Sequence, residues 1–158
     1  MHEALTAPRV APVPATAMTV SSYPPLNVQV HTPRLSLLGA TDDLMERLVP
    51  AVRKGVATAA TWPFDVDGEP VGMQDLIGTD FAAFGTVSTF SWLSTGARGG
   101  GLGKEMRQAV LHLAFEGLGA RQADSEAFFD NHASNRVSQA VGYLPNGLAW
   151  STRRGEAA

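Results

Sequence analysis

The sequence predicts a three-layer α/β/α domain built around a mixed sheet. Two observations lead to this fold class: extended segments alternate with amphipathic helical segments along the chain, and capping residues bound the helical segments. The length of 158 residues is that of a single domain with its own hydrophobic core. We therefore expect one sheet with helices packed against its faces.

The N-terminal segment differs from the rest in composition. Residues 1–25 hold five of the ten prolines, among Ala, Thr, Ser and Val, and show neither a helical nor a strand period. We expect a flexible tail over these residues, with an ordered arm over the domain or over a neighbouring subunit as the alternative. The domain itself is expected to occupy residues 26–158.

The first half of the domain is predicted to hold strands on either side of a helix. The segment LNVQVHTPRLSLLGA alternates apolar and polar residues and is interrupted at Pro33, which predicts a strand with an edge or a bulge at the proline. Thr41 precedes two aspartates, as the N-cap of a helix to about Lys54. In TWPFDVDGEPVGMQDLIG, two extended runs flank Asp67-Gly68, a dipeptide typical of a hairpin turn.

A strand and a long helix are predicted next, separated by a glycine-rich loop. FGTVSTFSWLS is rich in β-branched and aromatic residues, as strands are. The helix is expected over about 103–118, with Gly119 as its C-cap. Its core face is expected to consist of Met106, Ala109, Val110, Leu113 and Ala114.

The last predicted elements are a strand, a short helix and a final strand. RQADSEAFF has the composition of a strand, and Asn131 and Ser134 are candidate caps for the helix that follows and ends at Gly142. A final strand is expected around 148–152.

Composition excludes several kinds of site and partner. The net charge of -3 gives no electrostatic footprint for nucleic acid, so no nucleic acid is expected as a partner. The absence of cysteine excludes disulfides, thiolate metal sites and a cysteine nucleophile. No stretch approaches the roughly 20 apolar residues of a membrane helix, and no signal peptide is recognisable, so we expect a cytoplasmic protein without a membrane partner. His31, His112 and His132 lack the spacing of metal ligands, and no metal is expected.

The loop ARGGGLGKE has the composition of a phosphate-binding loop. It is not a Walker A loop, because Gly103-Lys104 is followed by glutamate and no glycine stands five residues earlier. It is not a dinucleotide fingerprint either, since a pattern starting at Gly99 has Lys104 in place of its third glycine. What remains is Arg98-x-x-Gly101-x-Gly103 between a strand and a helix, which directs backbone amides and a helix N-terminus at a pyrophosphate.

Three segments together resemble the GNAT superfamily of acyl-CoA-dependent N-acyltransferases, in particular its ribosomal-protein N-terminal acetyltransferase-like branch. RGGGLG is similar to the pyrophosphate loop R/Q-x-x-G-x-G/A of the superfamily. NHASNRVSQAVGY is similar to its N-x-x-S segment that ends in G-F/Y, and HTPRLSLLGATDDL is similar to the opening strand and acidic first helix of the branch. The resemblance covers about residues 26–147.

The resemblance implies a GNAT-like fold with a mostly antiparallel, splayed sheet and acetyl-CoA as the acyl donor. It also implies that the strand before the loop parts from its neighbour and pairs with the pantetheine arm. The residues expected to bind acetyl-CoA are Ser91, Trp92, Leu93, Arg98, Gly99, Gly100, Gly101, Leu102, Gly103, Lys104, Asn131 and Ser134. An empty surface turn is the alternative for the glycines, and a solvated charge is the alternative for Arg98.

In this family a neutral amine attacks the thioester directly, so a base, an oxyanion donor and an acid are needed. Glu126 matches the strand carboxylate that serves as base, usually through water, with a solvent-facing or salt-bridged carboxylate as the alternative. Ser138 stands where relatives often carry a tyrosine that protonates the thiolate, and a serine is a weaker acid. Tyr143 is the nearest phenol, at a position that is ordinarily aromatic core. His132 is an alternative base.

The amine substrate is expected to contact the region between the first helix and the hairpin, with candidate residues Trp62, Phe64, Gln74, Asp75 and Phe84. Compared with this branch of the family, the chain is shortened between 55 and 66 and at its C-terminus. Either another subunit completes the site, or some residues are absent from this sequence. The resemblance to this family implies a homodimer. The sequence thus predicts an N-acetyltransferase acting on a protein N-terminus or a small amine, with a non-catalytic acyl-CoA-binding protein and a module for another phosphate ligand as alternatives.

Overall fold

Eight strands form one mixed sheet in the part of the chain that the computed structural model describes, namely residues 2–7, 28–39, 41–53, 62–66, 69–78, 80–153 and 156–157. The elements in chain order are β1 (His2–Ala7), β2 (Val30–His31), β3 (Ser36–Leu37), α1 (Asp42–Arg53), β4 (Trp62–Val66), β5 (Glu69–Ile77), α2 (Phe81–Phe84), β6 (Thr86–Leu93), α3 (Leu102–His112), β7 (Gln122–Phe128), α4 (His132–Ala140), β8 (Leu144–Ala149), β9 (Thr152–Arg153) and β10 (Glu156–Ala157). The strands β9 and β10 form a separate two-stranded ribbon.

The sheet has the order β2-β3-β4-β5-β6-β7-β1-β8. Every neighbouring pair in it is antiparallel except β6 and β7, which run parallel and are connected through α3. This arrangement of a mostly antiparallel sheet with packed helices confirms the predicted three-layer α/β fold.

The parallel strands β6 and β7 separate part-way along their length. Their paired residues run from Thr86 opposite Gln122 to Thr89 opposite Ser125, and no later pair joins them. Beyond that point β6 continues to Leu93 against β5, and β7 continues to Phe128 against β1. The two strands therefore form a fork that opens after Thr89 and Ser125, and the predicted splay is observed.

The core lies between α3 and the sheet. Leu111, Ala114 and Phe115 pack with Val87 of β6 and Ala123 of β7, and Met106 packs with the buried leucines of the β2–β3 region. All but one of the five predicted core residues of the long helix are buried, and Leu113 is half-buried. The helix ends in a π-helical segment, Leu113–Gly117, before Gly119 adopts a left-handed conformation with φ of 72°.

The N-terminus differs from the expectation of a flexible tail. Residues 2–7 form β1, which lies between β7 and β8 and pairs with both of them. The prolines that suggested a tail begin only at Pro8, so they leave these six residues free to supply backbone hydrogen bonds to two strand edges. The remainder of the segment, residues 8–25, lies outside the described residues, as does the shortened stretch 54–61.

Other predicted elements are found with changes. The segment around Pro33 is a small hairpin of β2 and β3, where we expected one interrupted strand, because the Thr32 hydroxyl accepts the Leu35 N–H at 2.9 Å and closes a turn. The short helix α2 was not predicted. The last strand of the sheet, β8, begins earlier than expected, at Leu144. None of the described helices is long and apolar enough to cross a lipid bilayer.

Candidate functional site

The glycine-rich loop forms the N-terminus of α3 and leaves backbone donors unused. Gly99 and Gly101 have φ values of 89° and 80°, in the left-handed region that glycine adopts without strain, and Gly101 is the N-cap. Among the described residues, no backbone carbonyl accepts the N–H groups of residues 99–103. The first accepted N–H groups are those of Lys104 and Glu105, which donate to the Gly101 carbonyl. The loop thus offers a set of N–H groups to an anion.

A polar network fixes this loop to the β2–β3 hairpin. The Arg34 guanidinium donates to the Gly100 carbonyl at 2.8 Å and to a Glu105 carboxylate oxygen at 2.7 Å, and the Thr32 hydroxyl donates to the other oxygen of Glu105. The Thr32 hydroxyl and, after it, Arg34 lower the pKa of Glu105 below its ordinary value, against the opposing effect of burial. The hydrogen bond from Arg34 therefore fixes the Gly100 carbonyl to the β2–β3 hairpin.

A cavity of about 440 Å³ runs from this loop along β6 to α4. The residues that line it are Ser91, Trp92, Leu93, Arg98, Gly99, Gly101, Gly103, Lys104, Met106, Arg107, Asn131, Ala133, Ser134, Arg136 and Val137. This set contains ten of the twelve residues predicted to bind acetyl-CoA; the other two, Gly100 and Leu102, line a second cavity beside Arg34. A Cβ built on Gly99 or Gly100 meets no atom within 4 Å, so there is open space beside the loop.

The cavity contains a free strand edge. From Phe90 onward, β5 is the only described strand that pairs with β6, so the backbone groups on the other side of β6 face the fork. The Arg98 side chain folds back on the end of this strand, with its Nε donating to the Leu93 carbonyl at 3.0 Å. An extended ligand that enters the fork therefore meets the unpaired edge of β6, except at the Leu93 carbonyl, which Arg98 occupies.

A buried arginine lies at the inner end of the cavity. Arg107 of α3 is 2% exposed, and its two terminal nitrogens donate to the hydroxyls of Ser91 on β6 and Ser125 on β7, each at 2.8 Å. Its Cζ is 5.7 Å from the centroid of the Tyr143 ring. The sequence analysis missed Arg107, although it shares the helical phase of the buried Val110, Leu111 and Ala114. A charged residue in that phase was the available signal.

The opposite face of the fork is acidic. Side chains alternate along β7: Ser125 and Ala127 are buried on the α3 face, so Glu126 and Asp124 lie on the other face, and Glu126 is exposed. On the same face, Asp75 of β5 stands opposite Phe90 of β6. The Phe90 side chain is 37% exposed and was not predicted to be part of the site. Glu126 follows the last paired residue of β7 and so borders the fork.

The two candidate proton donors are buried side chains. Tyr143 is 2% exposed, its hydroxyl is hydrogen-bonded to the Thr89 hydroxyl at 2.8 Å, and burial raises its pKa. Ser138 is 1% exposed, and its hydroxyl has no hydrogen-bond partner among the described residues. Neither side chain lines the cavity, whereas Glu126 borders the fork from the other face.

The helix α4 brings Asn131 and Ser134 to the cavity. The Asn131 side chain accepts the Ser134 N–H at 3.3 Å and is the N-cap of α4, as predicted. The buried Asn135 donates to the carbonyls of Phe128 and Phe129 and so attaches α4 to the end of β7. The wall of the cavity opposite β6 is therefore fixed to the other strand of the fork.

The predicted acceptor residues are scattered. Gln74 is fully buried and donates to the Phe90 carbonyl at 2.7 Å, and Phe84 is 65% exposed on α2. The side chains of Trp62 and Phe64 lie outside the described part of the structure. Within that part, no group of three or more His, Cys, Asp or Glu side chains could hold a metal ion.

The comparison with protein families identifies this arrangement. A family model described as an acetyltransferase (GNAT) domain matches residues 28–144. The chain belongs to the GNAT acetyltransferase family. This membership confirms the resemblance that the loop and the α4 segment indicated.

Solved GNAT structures have the same fold. A structure from Vibrio cholerae, described as a ribosomal-protein-serine acetyltransferase, superposes with a TM-score of 0.70 at 20% identity, covering 83% of this chain and 92% of that one. RimL, the ribosomal L7/L12 alpha-N-protein acetyltransferase, gives a TM-score of 0.62 at 18% identity, covering 82% of this chain and 84% of that one. A GNAT acetyltransferase from Bacillus anthracis gives 0.61 at 16% identity, with coverages of 73% and 82%. At these identities the likeness concerns the fold alone.

Proposed function

We propose that this GNAT protein is an N-acetyltransferase that moves an acetyl group from acetyl-CoA to a primary amine. One observation carries the proposal: a loop with unused N–H groups opens into a cavity that leads to the fork between β6 and β7. When bound there, acetyl-CoA supplies an acyl group activated as a thioester. GNAT acetyltransferases use this donor with an amine acceptor.

The residues of the cavity fit the parts of acyl-CoA. The N–H groups of residues 99–103 and the N-terminus of α3 suit a pyrophosphate, and Arg98 and Lys104 supply opposite charge beside them. The free edge of β6 at 91–93 suits the amides of the pantetheine arm, and Asn131 stands across the cavity from it. An orphaned buried donor, Arg107 Nε, marks the inner end as a place for a polar ligand.

Glu126 is the proposed general base. It lies on the sheet face opposite the cavity, next to the fork, so an amine that approaches from that face reaches the thioester without crossing the donor site. A carboxylate there accepts the proton of the incoming ammonium, directly or through water. The acidic neighbours Asp75 and Asp124 on the same face favour a cationic acceptor. Because RimL is described as acting on a protein N-terminus, we include such peptides among the proposed acceptors.

One observation favours a second candidate, a GNAT-like protein that binds acyl-CoA without turnover. At the position where relatives often carry a tyrosine, Ser138 is buried away from the cavity and offers no acidic phenol. A protein of this kind would bind CoA through the same loop and would transfer no acyl group.

The two candidates are separated by measuring binding and turnover on the same protein. Calorimetry with CoA tests the donor site, and a thiol reagent reports acetyl transfer to serine-initiated peptides, polyamines and aminoglycosides. Because the chain contains no cysteine, every thiol that the reagent detects comes from CoA. The proposal predicts micromolar binding and thiol release that depends on the amine; binding without release on any amine supports the second candidate, and no binding contradicts both.

A further inference from the structure

Among the described residues, no carboxylate forms an ion pair with the buried Arg107. Within the described part of the chain, its two terminal nitrogens donate to the neutral hydroxyls of Ser125 and Ser91, the neutral Tyr143 lies beside it, and its Nε has no acceptor. Burial lowers the pKa of the guanidinium, and the neighbouring Tyr143 opposes that shift. A buried cation that is only partly satisfied is unfavourable for the folded state. The flanking Met106, Val110 and Leu111 show that an apolar residue would suit this helix face.

The Arg107 guanidinium lies at the point where the two strands of the fork separate. Ser125 is the last residue of β7 that pairs with β6, and Ser91 stands two residues beyond the last pair on β6, so Arg107 bridges the two strands where they part. A second orphan, the buried Gln74 Oε1, belongs to the residue opposite Ser91 in register. Gln74 does not line the cavity, so the polar and cationic character of the cavity at this end comes from Ser91 and the buried Arg107.

The two faces of the fork assign separate roles to the two charges. Arg107 and Ser125 lie on the face of α3 and the cavity, whereas Glu126 lies on the opposite face of β7. An amine delivered from the Glu126 side leaves the sulfur of the thioester on the Arg107 side. The proposed function thus brings the departing sulfur to the buried guanidinium.

We infer that Arg107 is a catalytic residue that stabilises the thiolate of CoA as it leaves. This rests on the proposed function. In the step, the amine nitrogen forms a bond to the acyl carbon, the carbon–sulfur bond breaks with its electron pair on sulfur, and the proton of the amine passes to Glu126 or to water. The thiolate keeps its charge beside Arg107 and takes a proton from solvent on release. Electrostatic stabilisation of the thiolate by Arg107 thus takes the place of proton donation by a phenol.

This arrangement favours the transition state over the bound substrate. The thioester sulfur is neutral before the reaction and carries charge as the bond breaks, so a fixed cation stabilises it only then. The hydroxyls of Ser91 and Ser125 hold the guanidinium in place, and the Ser125 hydroxyl in turn donates to the Thr89 carbonyl at 3.1 Å. Tyr143 is the titratable group that acts on Arg107 in the described structure, and its raised pKa keeps it neutral near pH 7.

The inference is tested on the thiol of bound CoA, independently of turnover. The thiolate absorbs in the ultraviolet, and the difference between the spectra of the CoA and desulfo-CoA complexes isolates it, because the protein has no cysteine. In the wild type we expect the bound thiol to titrate about one pH unit or more below free CoA, as thiols do beside a fixed cation. In Arg107→Met we expect the bound thiol to titrate at or above the value of free CoA, and in Arg107→Lys between the two.

Kinetics supply the second readout. Arg107→Met should lower kcat by about 10²- to 10³-fold, the loss typical for removal of a preorganised charge donor, while the KM for acetyl-CoA changes little. Arg121→Met, which removes an exposed arginine next to Gly85, is the matched control and should leave both constants unchanged. Because Arg107→Met could fail to fold, Arg107→Lys is the second variant, and a bound thiol that titrates like free CoA in the wild-type complex would by itself overturn the inference.

Three results would overturn the inference. If the bound thiol titrates as it does in free CoA while acetyl transfer proceeds, the proposed function stands and Arg107 is structural. If the wild type binds succinyl-CoA far more tightly than butyryl-CoA and Arg107→Met abolishes the difference, the guanidinium receives a carboxylate of the acyl chain. If CoA does not bind at all, the proposed function fails together with this inference.

Discussion

The Arg34 guanidinium lies against the Glu105 carboxylate, with 2.7 Å between Nε and Oε2, and joins the β2–β3 hairpin to the first turn of α3. The same guanidinium holds the Gly100 carbonyl, so this contact sets the conformation of the glycine loop. The hairpin at one edge of the sheet thereby supports the donor site from outside the cavity.

The lowered pKa of Glu105 makes part of the stability pH-dependent. Because the folded-state pKa is below the ordinary value of 4.5, the carboxylate stabilises the fold above that value, and this contribution is lost as the pH falls through the folded-state pKa. We expect Glu105→Gln to lower the free energy of unfolding at pH 7 by about 1 kcal/mol. Below the ordinary pKa of 4.5, the stability of the variant should fall less steeply with pH than that of the wild type. Urea titrations across the acid range measure this, and Glu116→Gln, an exposed glutamate beyond the end of α3, should leave the profile unchanged.

Glu126→Gln tests the proposed base. The amide keeps the size of the side chain and cannot accept the proton, so we expect kcat to fall by about 100-fold or more with little change in CoA affinity. Steady-state kinetics and calorimetry on the same preparation measure the two quantities. Asp130→Asn, in the turn before α4, is the control; an equal loss in the control, or an unchanged kcat in Glu126→Gln, argues against the assignment.

Tyr143→Phe separates a core role from an acid role. The substitution removes the hydroxyl bonded to Thr89 and keeps the ring beside Arg107, so we expect a loss of about 1 kcal/mol in stability and a kcat within about threefold of the wild type. Thermal unfolding and kinetics report the two effects. A large drop in kcat without a drop in stability would make Tyr143 the proton donor after all.

The strand β1 is expected to support the fork from behind β7. Ala4 pairs with Glu126 on one side and with Gly147 on the other, so a proline there removes a donor from the ladder. We expect Ala4→Pro to lower the unfolding free energy by about 3 kcal/mol, and Ala4→Ser to leave it nearly unchanged. Circular dichroism during thermal unfolding distinguishes them, and equal stability of the two variants would show that β1 contributes little to the fold.

The sequence was sufficient for the central parts of the fold because local signals agreed with tertiary packing there. The spacing of Arg98, Gly101 and Gly103 predicted a loop with free N–H groups, and Asn131 was recognised as a candidate cap from its residue type and position. The fork between β6 and β7 came from the family resemblance, since no local pattern indicates where two strands stop pairing.

What the sequence did not indicate depends on partners distant in the chain. The strand β1 is short, and its place between β7 and β8 is decided by two strand edges more than a hundred residues away. The helical phase of Arg107 could have indicated a buried charge, but its partners Ser91 and Ser125 lie on two strands whose arrangement no local pattern gives. Ser138 likewise was a candidate acid by its position alone, and its burial follows from how α4 packs.

The central claim is that the loop at 98–104 binds CoA, and calorimetry tests it most directly. A Cβ added at Gly103 would lie 3.5 Å from Val137 and 3.6 Å from Leu93, so Gly103→Ala fits the fold but narrows the cavity, whereas Gly96→Ala meets no atom within 4 Å. We predict micromolar affinity for the wild type, a loss of about tenfold or more in Gly103→Ala and no change in Gly96→Ala. Absence of CoA binding by the folded wild type, or equal affinities in all three proteins, would contradict the account.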